Sequence, residues 1–421
     1  MNFADSVKCL SACEWKRSSW RALLRGPMKP LHVFQDIQYF ISDSIKTGVC
    51  EAANRPSTTA ALLRQVLTQQ GGVGRHGQCV VCSKLCMYRS ATIHVAGTPC
   101  VDWSGMPGAK RQGEVGSAAV PFFVWVAMRL LIQEAIIIHE NVPKFDVRII
   151  QDLLGDMYMI MSVILNLVLF GFPVRRKRRV TVLIHKSKLR QPTVIWDDIF
   201  VRPFIRDIGA IVWRMFLLAE EGDLETEFNW ASRRKLLVKT IPEFANCADV
   251  AGHRFVEVLV AGELKFLREY RRRSPRCSYM LGQNPRVLSA KSTETTAMCQ
   301  IRNQGTIFSD LDDRWFAARE LLAMQGFPVF QTTKLHHEET AFDGPPMVHE
   351  CSSMIEQAGN SMPIPLIAVP LLWALMCTSA GEPVPLLRKV LRATLSSTSS
   401  EAQEDDDECI GNKRRRVRVI V

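Results

Sequence analysis

The feature that most constrains this chain is a strand, helix, strand pattern between residues 91 and 142. ATIHVA at 91–96 is a short β-rich run, and 118–135 (AAVPFFVWVAMRLLIQEA) carries a long apolar face with no internal glycine. AIIIHENV at 135–142 is β-branched and then turns abruptly polar. Two strands joined through a helical crossover form parallel neighbours in a sheet covered on both faces. In such sheets ligands bind beyond the carboxyl ends of the strands, so the residues just after 96 and just after 138 are where chemistry is expected.

The chain's 421 residues exceed what one compact core usually holds, and they predict two lobes or a large α/β domain with a smaller one. With 47% apolar and 23% charged residues it falls in the globular range, which excludes fibrous and wholly disordered classes. A net charge of +11 favours a polyanionic partner. Thirteen cysteines, an odd number with no N-terminal signal peptide, predict free thiols in a reducing compartment. The longest apolar stretch, 157–173, contains Ser162 and Asn166 and falls short of the roughly 20 residues a bilayer span needs; it is read as buried helix and strand, with no membrane partner.

PLHVFQDIQYF at 30–40 is a further β-rich run, and 174–190 places a basic cluster before another. Residues 191–217 read as a loop and an amphipathic helix, and about 225 to 315 as an irregular subdomain with short strands. Helices are expected over 316–326 and 363–376, and a disordered tail from 396 that is first acidic (404–408), then basic (413–418).

The sharpest local feature is GTPCVDWSGMPG at 97–108, where a strand runs into a Gly- and Pro-bearing loop that exposes Cys100. About forty residues later Glu140 ends the next strand, where a carboxyl group would exchange a proton beside a thiolate. Taken alone, Cys100 reads as a packed thiol and Glu140 as a strand-end acid.

Together the segments resemble the DNA (cytosine-5)-methyltransferase family. The resemblance rests on Thr98–Pro99–Cys100 with Ser104, on Glu140–Asn141–Val142, and on Val174–Arg175–Arg176–Lys177–Arg178 preceded by Gly171 and Pro173. It continues through Arg319–Glu320, Met324 to Pro328, and Gly359–Asn360–Ser361–Met362, so it spans about residues 10 to 377. Glu14 and Asp36 resemble the family's acids beside the cofactor's ribose and adenine. Two positions depart from the pattern. No glycine occurs in residues 1–13, where the family has a Phe-x-Gly-x-Gly loop, and Val174 replaces a glutamine.

The resemblance implies a Rossmann-like α/β, S-adenosylmethionine-dependent methyltransferase fold with a smaller irregular target-recognition subdomain. Its expected boundaries are a catalytic part at 1–225, the recognition subdomain at 226–315, a rejoining segment at 316–385 and the tail at 396–421. It implies methyl transfer from S-adenosyl-L-methionine to C5 of a flipped cytosine in DNA, with Cys100, Glu140, Arg176 and Arg178 catalytic. Glu14, Asp36, Pro99, Asn360 and Ser361 would bind the cofactor. The alternatives are a tRNA cytosine-5 methyltransferase, with RNA as partner, and an impaired homologue that only binds nucleic acid.

Eight of the sixteen residues 175–190 are Lys or Arg. Arg175, Arg179 and Lys186 there, with Arg271 and Arg272 in REYRRRSPR, are expected on phosphates, the bland reading being a solvated strand and an exposed loop. His76, Cys79, Cys82 and Cys86 have zinc-like spacing, but a structural site usually draws its pairs from two segments. No metal is therefore assigned, and the cluster reads as free thiols on a loop. The basic run at 413–418 and the family's substrate point to the nucleus.

Overall fold

The computed structural model describes residues 7–25, 28–53, 67, 72–104, 113, 119–190, 192, 204, 212–237, 254–301, 305–330 and 350–378. Most of 191–211, and with it most of the expected amphipathic helix, lies outside the described residues, as do the acidic and basic runs of the tail. Along the chain come β1 (Ser11–Cys13), α1 (Arg17–Arg25), β2 (His32–Phe34), α2 (Asp43–Ala53), β3 (His76–Cys79), β4 (Lys84–Met87) and β5 (Ile93–Gly97). They are followed by α3 (Ala119–Ile132), β6 (Ile136–Asn141), α4 (Arg148–Leu154), β7 (Tyr158–Asn166) and β8 (Lys177–His185). The remainder is α5 (Glu221–Leu237), α6 (Arg254–Glu257), α7 (Ala261–Arg273), β9 (Ser278–Met280), β10 (Ile307–Ser309), β11 (Arg314–Trp315), α8 (Ala318–Ala323), α9 (Cys351–Asn360) and α10 (Ile364–Thr378).

The expected crossover unit is present: β5 and β6 pair in parallel, from Ile93 with Ile136 to Gly97 with Glu140. β8 runs antiparallel beside β6, and β7 antiparallel beside β8, giving the order β5-β6-β8-β7. Side chains alternate between two apolar layers. Ile136, Ile138, Val180, Val182 and Ile184 face a cluster shared with α7, α8 and α10. Ile137 and Leu183 face the opposite cluster, built on α3, β2 and α4. Burial on both faces is why these strands read as unbroken apolar runs. The stretch 157–173 resolves into β7 and a short 3-10 turn rather than a helix. Among the described residues no single helix is long and apolar enough to cross a membrane.

β1 and β2 form a second parallel pair, extended antiparallel by β3 and β4. Residues 76–87 are therefore a hairpin, not the loop expected. Among the described residues no hydrogen-bonded strand joins β1 to β5; this sheet meets the other through α3, whose face packs on Phe34 and Phe40 as well as on Ile137. The region 226–315 is more regular than expected: α5 and α7 pack on the three-stranded antiparallel sheet β9-β10-β11, and both enter the apolar layer of β6 and β8.

Candidate active site

β5 and β6 end side by side, and their last residues are tied across the ladder. Asn141 donates through Nδ2 to the Thr98 hydroxyl at 3.1 Å and to the Thr98 carbonyl at 3.3 Å. That hydroxyl lies 2.8 Å from His139 Nε2. Burial lowers His139 to about 3, so the ring that meets this hydroxyl is neutral, while the hydroxyl accepts from Asn141. Trp103 anchors the far side of the loop: it is buried against Phe145, with ring centroids 5.0 Å apart, and its amide donates to the Cys100 carbonyl at 3.1 Å. Cys100 is thus held between two fixed points. His139 is a positioning residue that the sequence reading passed over, although it sits beside Glu140.

Glu140 is buried, with its carboxylate 2.7 Å from Arg178 Nε. Burial pushes it above the ordinary carboxylate range and outweighs the opposing charges of Arg178 and Arg176. The Cys100 thiol is also pushed up, chiefly by burial, with Arg178 opposing and Glu140 adding to the rise. A Cβ placed on Gly97 would stand 3.6 Å from Glu140 Oε2 and 3.4 Å from Met362 Sδ. Gly97 therefore floors a cradle bounded by Glu140 and by Met362, in the junction between α9 and α10.

The two arginines expected to be catalytic have different settings. Arg178 faces Glu140, whereas Arg176 is buried and donates to the carbonyls of Gln300 (2.7 Å), Gly359 (3.0 Å) and Ser361 (2.6 Å). It clamps two distant segments, at Gln300 and at Gly359–Ser361, against the start of β8, and burial lowers it to about 10. Several phosphate candidates are likewise engaged internally. Arg175 donates to the Lys291 carbonyl, Arg179 to the Pro143 carbonyl (3.0 Å), and Arg271 pairs with Asp310 (2.5 Å) and Asp313 (2.9 Å). Arg272 is exposed on α7 beside Glu269, and Lys186 donates to the Gly155 carbonyl. Lys186 stands six residues beyond Val180, the partner of Glu140, which is about 20 Å along the strand. The basic run is thus neither one solvated face nor one phosphate track, because β8 between its ends is buried.

The cofactor candidates follow parallel strands. Glu14 succeeds β1 and accepts from the Lys16 amide at 2.9 Å; Asp36 succeeds β2 and accepts from the Gln38 amide at 2.9 Å. Burial raises Glu14. Lys16 pairs with Glu356 and Arg25 with Glu350, which ties α9, the helix that leads to Asn360 and Ser361, to α1. Ser361 donates to Gln325 Oε1 at 2.9 Å, while Asn360 and Pro99 are exposed. Of the cysteine cluster, Cys79, Cys82 and Cys86 converge, but the histidine that joins them is His32; His76 is exposed opposite Met87 on β3 and β4.

The family model for the C-5 cytosine-specific DNA methylases matches residues 87–369. The chain belongs to that family. Three solved structures are similar to this methylase at low identity. A candidate DNA modification methyltransferase encoded within an E. coli prophage is 14% identical, with 87% of this chain and 91% of that chain covered and a TM-score of 0.46. The S. pombe Dnmt2 methyltransferase is 14% identical, with 89% and 93% covered and a TM-score of 0.44. The Entamoeba histolytica methyltransferase EhMeth is 12% identical, with 88% and 98% covered and a TM-score of 0.36. No curated protein matches the chain. The family's methyl donor is S-adenosyl-L-methionine. The donor set of this methylase fits both ends of that molecule: carboxylates at 14 and 36 suit the nucleoside hydroxyls and adenine, and the Gly97 cradle opens beside Cys100. No glycine precedes Gly26, so a glycine-lined turn is not part of that fit.

Proposed function

We propose that this methylase transfers a methyl group to C5 of a flipped cytosine in DNA, with Cys100 as nucleophile and Glu140 as acid. The observation that carries the reading is the convergence of Cys100, Glu140 and Arg178 at the carboxyl ends of two adjacent parallel strands. The Cys100 thiolate adds to C6, and the C5–C6 π electrons move toward C5 as ring charge shifts onto N3. Glu140, whose hold on a proton burial strengthens, donates to N3 and stabilises that charge. Arg178 then holds the carboxylate that results. S-adenosyl-L-methionine supplies an electrophilic sulfonium methyl, and Glu14, Asp36, Asn360 and Ser361 would hold it. Loss of the C5 proton to a base and departure of the Cys100 sulfur restore the aromatic ring. The target atom is stacked inside a duplex, so extrusion costs a few kcal/mol. We assign target recognition to 226–315, where exposed Arg272 is available to phosphate.

A duplex carrying 5-fluorocytosine tests this, because fluorine cannot leave as a proton and the adduct persists. With methyl donor present, the protein should form a denaturant-resistant complex that Cys100→Ser abolishes. Absence of the complex on folded protein, or its persistence in Cys100→Ser, overturns the assignment. The same trap built into tRNA decides between nucleic acids: trapping on tRNA alone replaces DNA as substrate.

A non-catalytic, nucleic-acid-binding reading is favoured by one observation, the lack of any glycine before Gly26. Calorimetric titration with S-adenosylmethionine discriminates, since heat of binding by folded protein removes that reading.

A further inference from the structure

The first sheet carries a cluster that the methyl-transfer chemistry does not use. Cys79 closes β3, Cys82 lies in the turn, Cys86 is the third residue of β4, and His32 opens β2. One ligand atom from each of the four lies within 4.8 Å of every other. Cys82 Sγ is 3.6 Å and Cys79 Sγ 3.9 Å from His32 Nδ1. Tetrahedral zinc with arms of about 2.3 Å to sulfur and about 2.0 Å to nitrogen places sulfur and nitrogen about 3.6 Å apart. The spacing matches that of ligands around one ion. The four come from two segments, β2 and the β3–β4 hairpin, as structural zinc sites usually require.

We propose that His32, Cys79, Cys82 and Cys86 form a structural zinc site that clasps β2 to the β3–β4 hairpin. Four protein ligands fill a tetrahedral shell and leave no position for water or substrate, so the role is structural. The hairpin is shaped for it. Ser83 takes a left-handed φ of +54°, which turns the chain back between Cys82 and Cys86. Burial opposes ionisation of Cys79, but the amides of Cys82, Val33 and Val81 and the His32 ring together lower its thiol to about 6. Cys82 is pushed up to about 11, first by Cys86, then by burial and by Cys79. The sheet also has reason for a clasp: β1 to β4 are only three or four residues each, and short strands hold poorly without a further tie. β2 leads directly to Asp36, so the ion fixes the strand that presents that carboxylate.

The test is metal content of the full chain after expression with zinc and exhaustive dialysis. One zinc per chain is expected, and cobalt substitution should give the intense visible absorption of a tetrahedral, thiolate-rich site. Less than a tenth of an equivalent on protein folded by circular dichroism overturns the proposal, as does a disulfide among the three cysteines in protein prepared under reductant. His32→Ala and Cys82→Ser should release zinc to a chelator at least about tenfold faster, while His76→Ala matches the wild type. Equal retention by His32→Ala and His76→Ala overturns the assignment of the fourth ligand. Wild-type stoichiometry and the cobalt spectrum stand even where a variant fails to fold, and neither depends on methyl transfer.

Discussion

The proposed mechanism requires opposite protonation states of Cys100 and Glu140 at the moment of attack, thiolate on one and acid on the other, yet burial pushes both toward their protonated forms. At low pH the thiol is neutral and cannot add to C6. At high pH Glu140 has lost the proton it offers to N3. The expected dependence of kcat/KM on pH is a bell whose limbs belong to the pair. Glu140→Gln keeps a hydrogen-bond donor without a titrating group, so its profile should rise and then level, about 100-fold below the wild-type maximum. An alkaline fall of the same midpoint in Glu140→Gln would remove Glu140 as the acid. The placement of the two groups at neighbouring strand ends was legible in the sequence because Glu140 falls at the end of one recognisable strand and Cys100 in the loop just after another. The employment of Arg175, Arg176 and Arg179 was not, since an arginine's partners are backbone carbonyls brought from as far away as Lys291, Gln300 and Ser361. Local composition records the charge and not its destination.

Buried polar contacts tie α5 to the start of α8. Asp223 takes both oxygens to Arg319 Nη1, at 2.9 and 3.0 Å, and Glu227 accepts the Ala318 amide at 2.7 Å. Arg319 is buried, also donates to the Val329 carbonyl, and lies over the Phe330 ring. Asp223→Ala strands a buried guanidinium and should cost about 3–5 kcal/mol by urea unfolding; a loss below 1 kcal/mol would show the pair to be dispensable. Glu227 behaves differently. Burial, then the neighbouring charges of Glu320 and Asp223, raise it to about 8 although the Ala318 amide opposes. The folded state therefore holds a proton that the unfolded chain releases near pH 4.5, and Glu227's contribution is full below that value and lost as pH climbs through about 8. The loss is on the order of 4 kcal/mol, and Glu227→Gln should flatten the curve and exceed wild-type stability at pH 8.5. Unchanged slopes in the two proteins would refute it. Most of α5 lay in the stretch read as irregular, because it mixes its apolar residues among acids and arginines without a clean stripe, whereas α8 falls within the helix expected over 316–326. The β3–β4 hairpin was missed for the converse reason: four-residue strands carrying cysteine and lysine give no alternation long enough to register.

On the scale of the whole molecule, the α/β class was legible from 91–142 because both faces of β6 are buried and its run is unbroken. The separation of the parallel pairs β1–β2 and β5–β6 into two sheets was not, since pairing partners of short strands are decided by tertiary contacts. That separation has an energetic consequence. Among the described residues the first sheet is joined to the rest through the apolar face of α3 and the ion pairs of Lys16 and Arg25 with α9, without a shared ladder. Partly exposed ion pairs contribute little, about 0–1 kcal/mol each, so β1 and β2 should open at lower free energy than β6 and β8. Native-state hydrogen exchange should find the slowest amides in β6 and β8 and a separate, faster unit in β1–β2. A ligand spanning Glu14 and Asp36 on one side and the Gly97 cradle on the other binds only when the two sheets are docked. S-adenosylhomocysteine at 100 times its Kd should therefore slow β1–β2 exchange about 100-fold, while amides of β9–β11 that open independently stay unchanged. Exchange of β1–β2 and β6 at one common free energy without ligand would refute the separate unit, and a β1–β2 rate indifferent to saturating ligand would place the cofactor elsewhere.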